Sequence, residues 1–129
     1  MTTDVDITPG RTPANLAALA AALVQLEANV RREGEPGGLP FDRSPELLSR
    51  VEILNLTTKH GDLERSFVPA GTQGYADLSR RAMRITIRGT DVSVSALADV
   101  IRSKEAADRE RDRVTLPTLR RLLERLEGS

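Results

Sequence analysis

The sequence predicts an α/β (α+β) domain, a small mixed sheet flanked by helices. Three observations predict it. Short runs with strand character lie at 2–8, 51–58, 62–68, 83–88 and 92–94. Stretches with helical periodicity lie between and after them, at 12–30, 96–108 and 116–126. Two pairs of strands are joined by turns too short for a crossover, so hairpins mix with β–α connections. A length of 129 residues fits one domain, 1–129, with a modest core.

Each element has a local reason. The strand at 2–8 ends at Pro9-Gly10, and Thr12 then caps a helix with Pro13 at its first position. Leu16, Leu19, Ala20, Leu23, Leu26 and Val30 form its apolar stripe, so this helix packs on the sheet. Residues 34–40 hold three glycines and two prolines and read as a loop. Ser44-Pro45-Glu46 starts a short helical turn, followed by the strand at 51–58. His60-Gly61 turns the chain into 62–68, completing a hairpin. A short helix at 74–81 faces Leu78 inward. Met83-Arg84-Ile85-Thr86-Ile87-Arg88 alternates, and Gly89-Thr90 or Thr90-Asp91 turns it into Val92-Ser93-Val94. Ser95 caps the helix at 96–108, and the last helix, 116–126, buries Leu119, Leu122, Leu123 and Leu126.

Composition narrows the function. Lysine plus arginine equals aspartate plus glutamate at 19 each, so no global field attracts nucleic acid or anionic lipid. The absence of cysteine excludes disulfides and thiolate metal sites. The longest apolar stretch, 16–24, is too short to span a membrane, and the opening Met-Thr-Thr-Asp lacks the basic and apolar regions of a secretory signal. A cytoplasmic protein is expected.

The residues that could carry chemistry are mainly acidic. In Thr3-Asp4-Val5-Asp6-Ile7, strand alternation points both carboxylates one way and the apolar side chains the other. Adjacent carboxylates repel unless a cation lies between them, and oxygen ligands suit Mg²⁺ or Mn²⁺. Gly61-Asp62-Leu63-Glu64 is a second acidic alternation that could bring a third carboxylate to the same ion, with Arg65 as a competing partner for Glu64. Leu97, Val100, Ile101 and Lys104 share one helical stripe. Lys104 is therefore either a lysine snorkelling from the stripe edge or a point charge for phosphate. His60 at its turn has no partner cluster, the serines lack a nearby base, and no Lys-Ser/Thr follows the glycines of 34–38. Arg80, Arg81, Arg84 and Arg88 cluster around one strand, which suits an RNA backbone or simply a solvated edge.

Several motifs then follow in order: Asp4-Val5-Asp6, Leu56-Thr57-Thr58, Gly61-Asp62-Leu63-Glu64, Pro69-Ala70-Gly71-Thr72 and Ser103-Lys104-Glu105-Ala106-Ala107. In this order the chain resembles, from residue 2 to about 124, the minimal nucleotidyltransferase fold of AbiEii/MenT-like toxin nucleotidyltransferases and related actinobacterial proteins. The resemblance implies that Asp4, Asp6 and Glu64 hold Mg²⁺ and form the catalytic set. It also implies that Lys104 and Arg109 contact a nucleoside triphosphate, with RNA or a protein hydroxyl as acceptor. An arginine–aspartate helix cap, Arg109 with Asp112, is the plainer reading of the second. The family's opening strand, Gly-Gly or Gly-Ser turn and helix have no counterpart before Asp4. The resemblance thus implies a truncated nucleotidyltransferase, and the alternative is a non-catalytic interaction module such as a toxin–antitoxin partner. Loss of that element would leave an open sheet edge and an apolar face, so a homodimer or a complex with another protein is expected beside Val5, Ile7 and the helix at 16–23.

Overall fold

A computed structural model describes residues 4–128. The chain forms two compact units, one ending at Phe67 and one beginning at Val68. The fold is mixed α+β, as the sequence predicts, with a five-stranded mixed sheet in the first unit and a two-stranded sheet in the second.

The first unit comprises β1 (Asp4–Ile7), α1 (Pro13–Gln25), β2 (Asn29–Arg32), β3 (Glu35–Leu39), α2 (Pro45–Arg50), β4 (Ile53–Thr58) and β5 (Gly61–Ser66). The sheet runs β1-β5-β4-β2-β3, with β1 parallel to β5 and every other pairing antiparallel. The Thr12 hydroxyl accepts the Asn15 N–H, so α1 begins where the capping residue predicts. Its end differs from the expected stripe. Glu27 takes φ 52°, the Ala28 N–H bonds the Leu23 carbonyl at 3.0 Å, and the Glu27 N–H bonds that of Val24. This Schellman ending closes the helix before Val30, which joins β2. Residues 34–40 are likewise not a loop, because most of them form β3. A Cβ on Gly38 would lie 2.5 Å from the Val30 carbonyl oxygen, so glycine is what lets β3 approach β2. Pro36 is tolerated because β3 is an edge strand.

Alternation gives this sheet two unlike faces. Leu54 and Leu56 of β4 meet Ala20, Leu23, Ala28 and Leu48 in the core, with Val30 and Leu63 packed against it. Arg65 belongs to this face too, is 1 % exposed, and so points away from Glu64. Its Nη1 donates to the Leu48 carbonyl at 2.8 Å and its Nη2 to that of Val51, satisfying the C-terminal end of α2. The guanidinium lies 4.0 Å from the Phe67 ring centre, and Arg11, paired with Glu52, lies 4.1 Å from it. Leu16 and Leu23, expected beside an interface, are core residues of this unit, whereas Val5 is 59 % exposed.

The second unit comprises α3 (Tyr75–Leu78), β6 (Met83–Ile87), β7 (Thr90–Val94), α4 (Leu97–Ala107) and α5 (Glu110–Glu127). The β6–β7 turn is Arg88-Gly89, both with positive φ, as a tight two-residue hairpin turn requires. Met83, Ile85, Ile87, Val92 and Val94 share one face of this hairpin, and every residue of both strands is exposed. Ser95 is not the cap of α4; Ala96 takes that position without a side-chain bond. α5 starts six residues before the expected 116 and carries Pro117 internally. Leu116 is buried in it, but Leu122 and Leu126 are exposed, contrary to the expected burial. Gly71 (φ 72°) sits against α4, where a Cβ would come within 2.7 Å of the Ala106 Cβ. Among the described residues no helix is long and apolar enough to cross a membrane.

Candidate functional site

The polar face of the first unit's sheet concentrates the acidic residues. Parallel pairing sets Asp4 beside Asp62 and Asp6 beside Glu64, so four carboxylates from two strands share one face. One carboxylate oxygen from each of Asp4, Asp6 and Glu64 lies within 4.8 Å of the others. The three residues proposed from sequence as a set are thus brought together. Asp4 and Glu64 are half-buried and Asp6 is exposed.

The fourth carboxylate is differently placed. Asp62 receives Arg31 Nη1 at 2.9 Å. Hydrogen bonds from Thr57 and then Arg31 hold its carboxyl below the usual carboxylate range. Asn55 pairs with Glu64 and Thr57 with Asp62 across β4, which puts an amide and a hydroxyl on the same face. Sequence reading missed Arg31, Asn55 and Thr57 as neighbours of the cluster. The signal that identifies them is strand register, which periodicity alone does not supply.

Lys104 and Arg109 lie in the second unit and meet at Asp112. Lys104 Nζ is 3.5 Å from Asp112 Oδ1, and Arg109 Nε donates to Oδ2 at 2.8 Å. The Asp112 carboxylate also accepts the Arg109 backbone N–H at 3.2 Å, capping α5. Burial alone would raise the Asp112 carboxyl, but the Arg109 hydrogen bonds and the two cationic charges outweigh it and leave it lowered. Residue Asp108, at φ 50°, makes the tight turn between α4 and α5.

The arginines around β6 are dispersed in role. Arg81 pairs with Asp99, which is 1 % exposed and also accepts Arg102 at 3.2 Å. Arg84 lies on the polar face of the hairpin opposite Ser93, and Arg88 forms its turn. His60 is exposed, and its backbone N–H bonds the Thr58 hydroxyl in the β4–β5 turn.

The chain matches no family model, no curated protein and no solved structure.

Proposed function

We propose that Asp4, Asp6 and Glu64 form the divalent-cation site of a nucleotidyltransferase-type centre. The observation that carries this reading is the convergence of the three carboxylates from two paired strands. The donor set is all oxygen, which suits Mg²⁺. Bonds of about 2.1 Å place neighbouring ligands roughly 3 Å apart and opposite ones roughly 4.2 Å apart, and the three carboxylate oxygens lie within 4.8 Å of one another. A cation held there would supply charge neutralisation as a nucleotide passes from a nucleoside triphosphate to an RNA or protein hydroxyl, the hydroxyl oxygen bonding to the α-phosphorus and pyrophosphate leaving.

The chain's own residues supply the rest. Asp4 and Asp6 fix one side of the site from β1, and Glu64 fixes the other from β5. Asn55 and Thr57 offer hydrogen bonds along the same face. Arg31 pairs with Asp62, and the set proposed for a cation is Asp4, Asp6 and Glu64. Lys104 and Arg109 stand outside this proposal, because Asp112 engages both.

Titration with Mn²⁺, followed by calorimetry and by paramagnetic broadening, tests the site. Wild type is expected to bind, and Asp4→Asn, Asp6→Asn and Glu64→Gln each to weaken binding at least about tenfold. A wild-type protein that ignores Mn²⁺ and Mg²⁺ up to millimolar concentration overturns the reading.

A non-catalytic interaction module is the second reading, favoured by the apolar face that β6 and β7 expose. It predicts that any association of the chain survives Asp4→Asn and Asp6→Asn unchanged.

A further inference from the structure

Among the described residues, two apolar faces of the second unit lack cover. One is the hairpin face, whose five large side chains are between 37 % and 58 % exposed. A lone two-stranded hairpin is marginal in water and needs further strands or a helix against its apolar side. The other is the end of α5. With 11 residues α4 is about 16 Å long, and with 18 residues α5 is about 27 Å. The tail of α5 therefore outruns its partner by about two turns, roughly 10 Å. It leaves Leu122 44 % and Leu126 61 % exposed. Both faces are exposed within one unit, so neither covers the other in the same copy.

We propose that the chain forms a two-fold dimer in which the α5 tail of each copy packs across the β6–β7 hairpin of the other. Shape supports the exchange, since a leucine-lined helix is the cover that a half-exposed sheet face accepts. Charge supports it too. Alternation sends Arg84 and Asp91 to the opposite side of the hairpin, so the surface on which the helix docks is made of neutral side chains.

Area decides between a second copy's tail and its hairpin as occupant. At these exposures each patch is on the order of one to a few hundred Å². Hairpin against hairpin buries two such patches and leaves the leucines in water. Reciprocal exchange buries four, which approaches the roughly 1,200–2,000 Å² of stable interfaces, and two-fold symmetry closes the assembly.

The test uses Ile85→Asp and Leu122→Asp, two sites exposed in a single copy, with circular dichroism to confirm folding. By sedimentation equilibrium the wild type is expected to dimerise at tens of micromolar. Each variant should weaken dimerisation at least about tenfold. Mixing the two variants should partly restore it, because the first keeps an intact tail and the second an intact hairpin. A monomeric wild type overturns the proposal. So does a dimer weakened only by Ile85→Asp, which would place hairpin on hairpin, and so does a mixture that associates no better than its components.

Discussion

At the residue scale, Arg65 shows how a charge can be structural. Strand alternation delivers it to the apolar face, where burial lowers its pKa and Glu52 opposes that shift. Its hydrogen bonds to the Leu48 and Val51 carbonyls supply donors that α2 cannot provide for its own end. Arg65→Met keeps much of the volume but leaves both carbonyls without this donor, and should cost about 2–3 kcal/mol. Urea unfolding followed by circular dichroism measures it, and an unchanged midpoint would mean that the buried guanidinium is neutral for stability. Glu27 is the reverse case, a residue whose backbone is strained. A side chain in the left-handed region costs about 1–2 kcal/mol, whereas glycine gives up about 0.5–1 kcal/mol to chain entropy. Glu27→Gly should therefore raise stability by about 0.5–1 kcal/mol, read as a higher melting temperature. The Lys59 contact it removes is long, at 4.0 Å, and exposed. This position also explains a misread boundary. With glutamate where helices usually place glycine, nothing in the sequence announced the end of α1, and Val30 fell in phase with the stripe.

At the element scale, the turn between α4 and α5 depends on Asp112. A carboxyl lowered in the folded state stabilises fully above its unfolded pKa, and that contribution is lost as pH falls through the folded value. Asp62, Asp77 and Asp108 are shifted the same way, each by hydrogen bonds to neighbouring groups. Stability should hold from neutrality to about pH 5 and fall below about pH 4. Asp112→Asn should lower the melting temperature at pH 7 and flatten that acid limb; an acid limb of wild-type steepness would assign it to the other carboxylates. Elements with strong local signals were legible: the Thr12-Pro13 cap, the β4–β5 hairpin at His60-Gly61, and the alternation of β6. The β2–β3 hairpin was not, because its glycines answer to a close backbone approach that composition cannot distinguish from a loop. The start of α5 was hidden for another reason. Its first turns are charged, and their anchor is one buried carboxylate rather than an apolar stripe.

At the scale of the whole molecule, the two units divide their surfaces differently. The first turns a polar, acid-bearing sheet face outward from its own helices and core, and the second exposes an apolar hairpin and a leucine-bearing helix end. The candidate carboxylates could be named from sequence because alternation fixes which residues share a face. Their convergence was expected from the second acidic alternation and the resemblance, but alternation alone does not fix it, since it rests on β1 pairing with β5 rather than with another strand. Asp112 as the partner of both Lys104 and Arg109 was only half visible, through the spacing of Arg109 and Asp112.

The parallel pairing of β1 has a consequence for the time order of events. Strand β1 has four residues, sits at the sheet edge, and finds its register with residues nearly sixty positions later. Closing that long loop is entropically slow, and a short edge strand is among the first elements to open. Two of the three clustered carboxylates ride on it. Opening β1 therefore dismantles the cluster while the rest of the sheet persists, and any ion held by Asp4, Asp6 and Glu64 would tie the strand down. Amide exchange at Val5 and Ile7 should slow when Mn²⁺ or Mg²⁺ is bound, while exchange at Leu54 and Leu56 stays as it was.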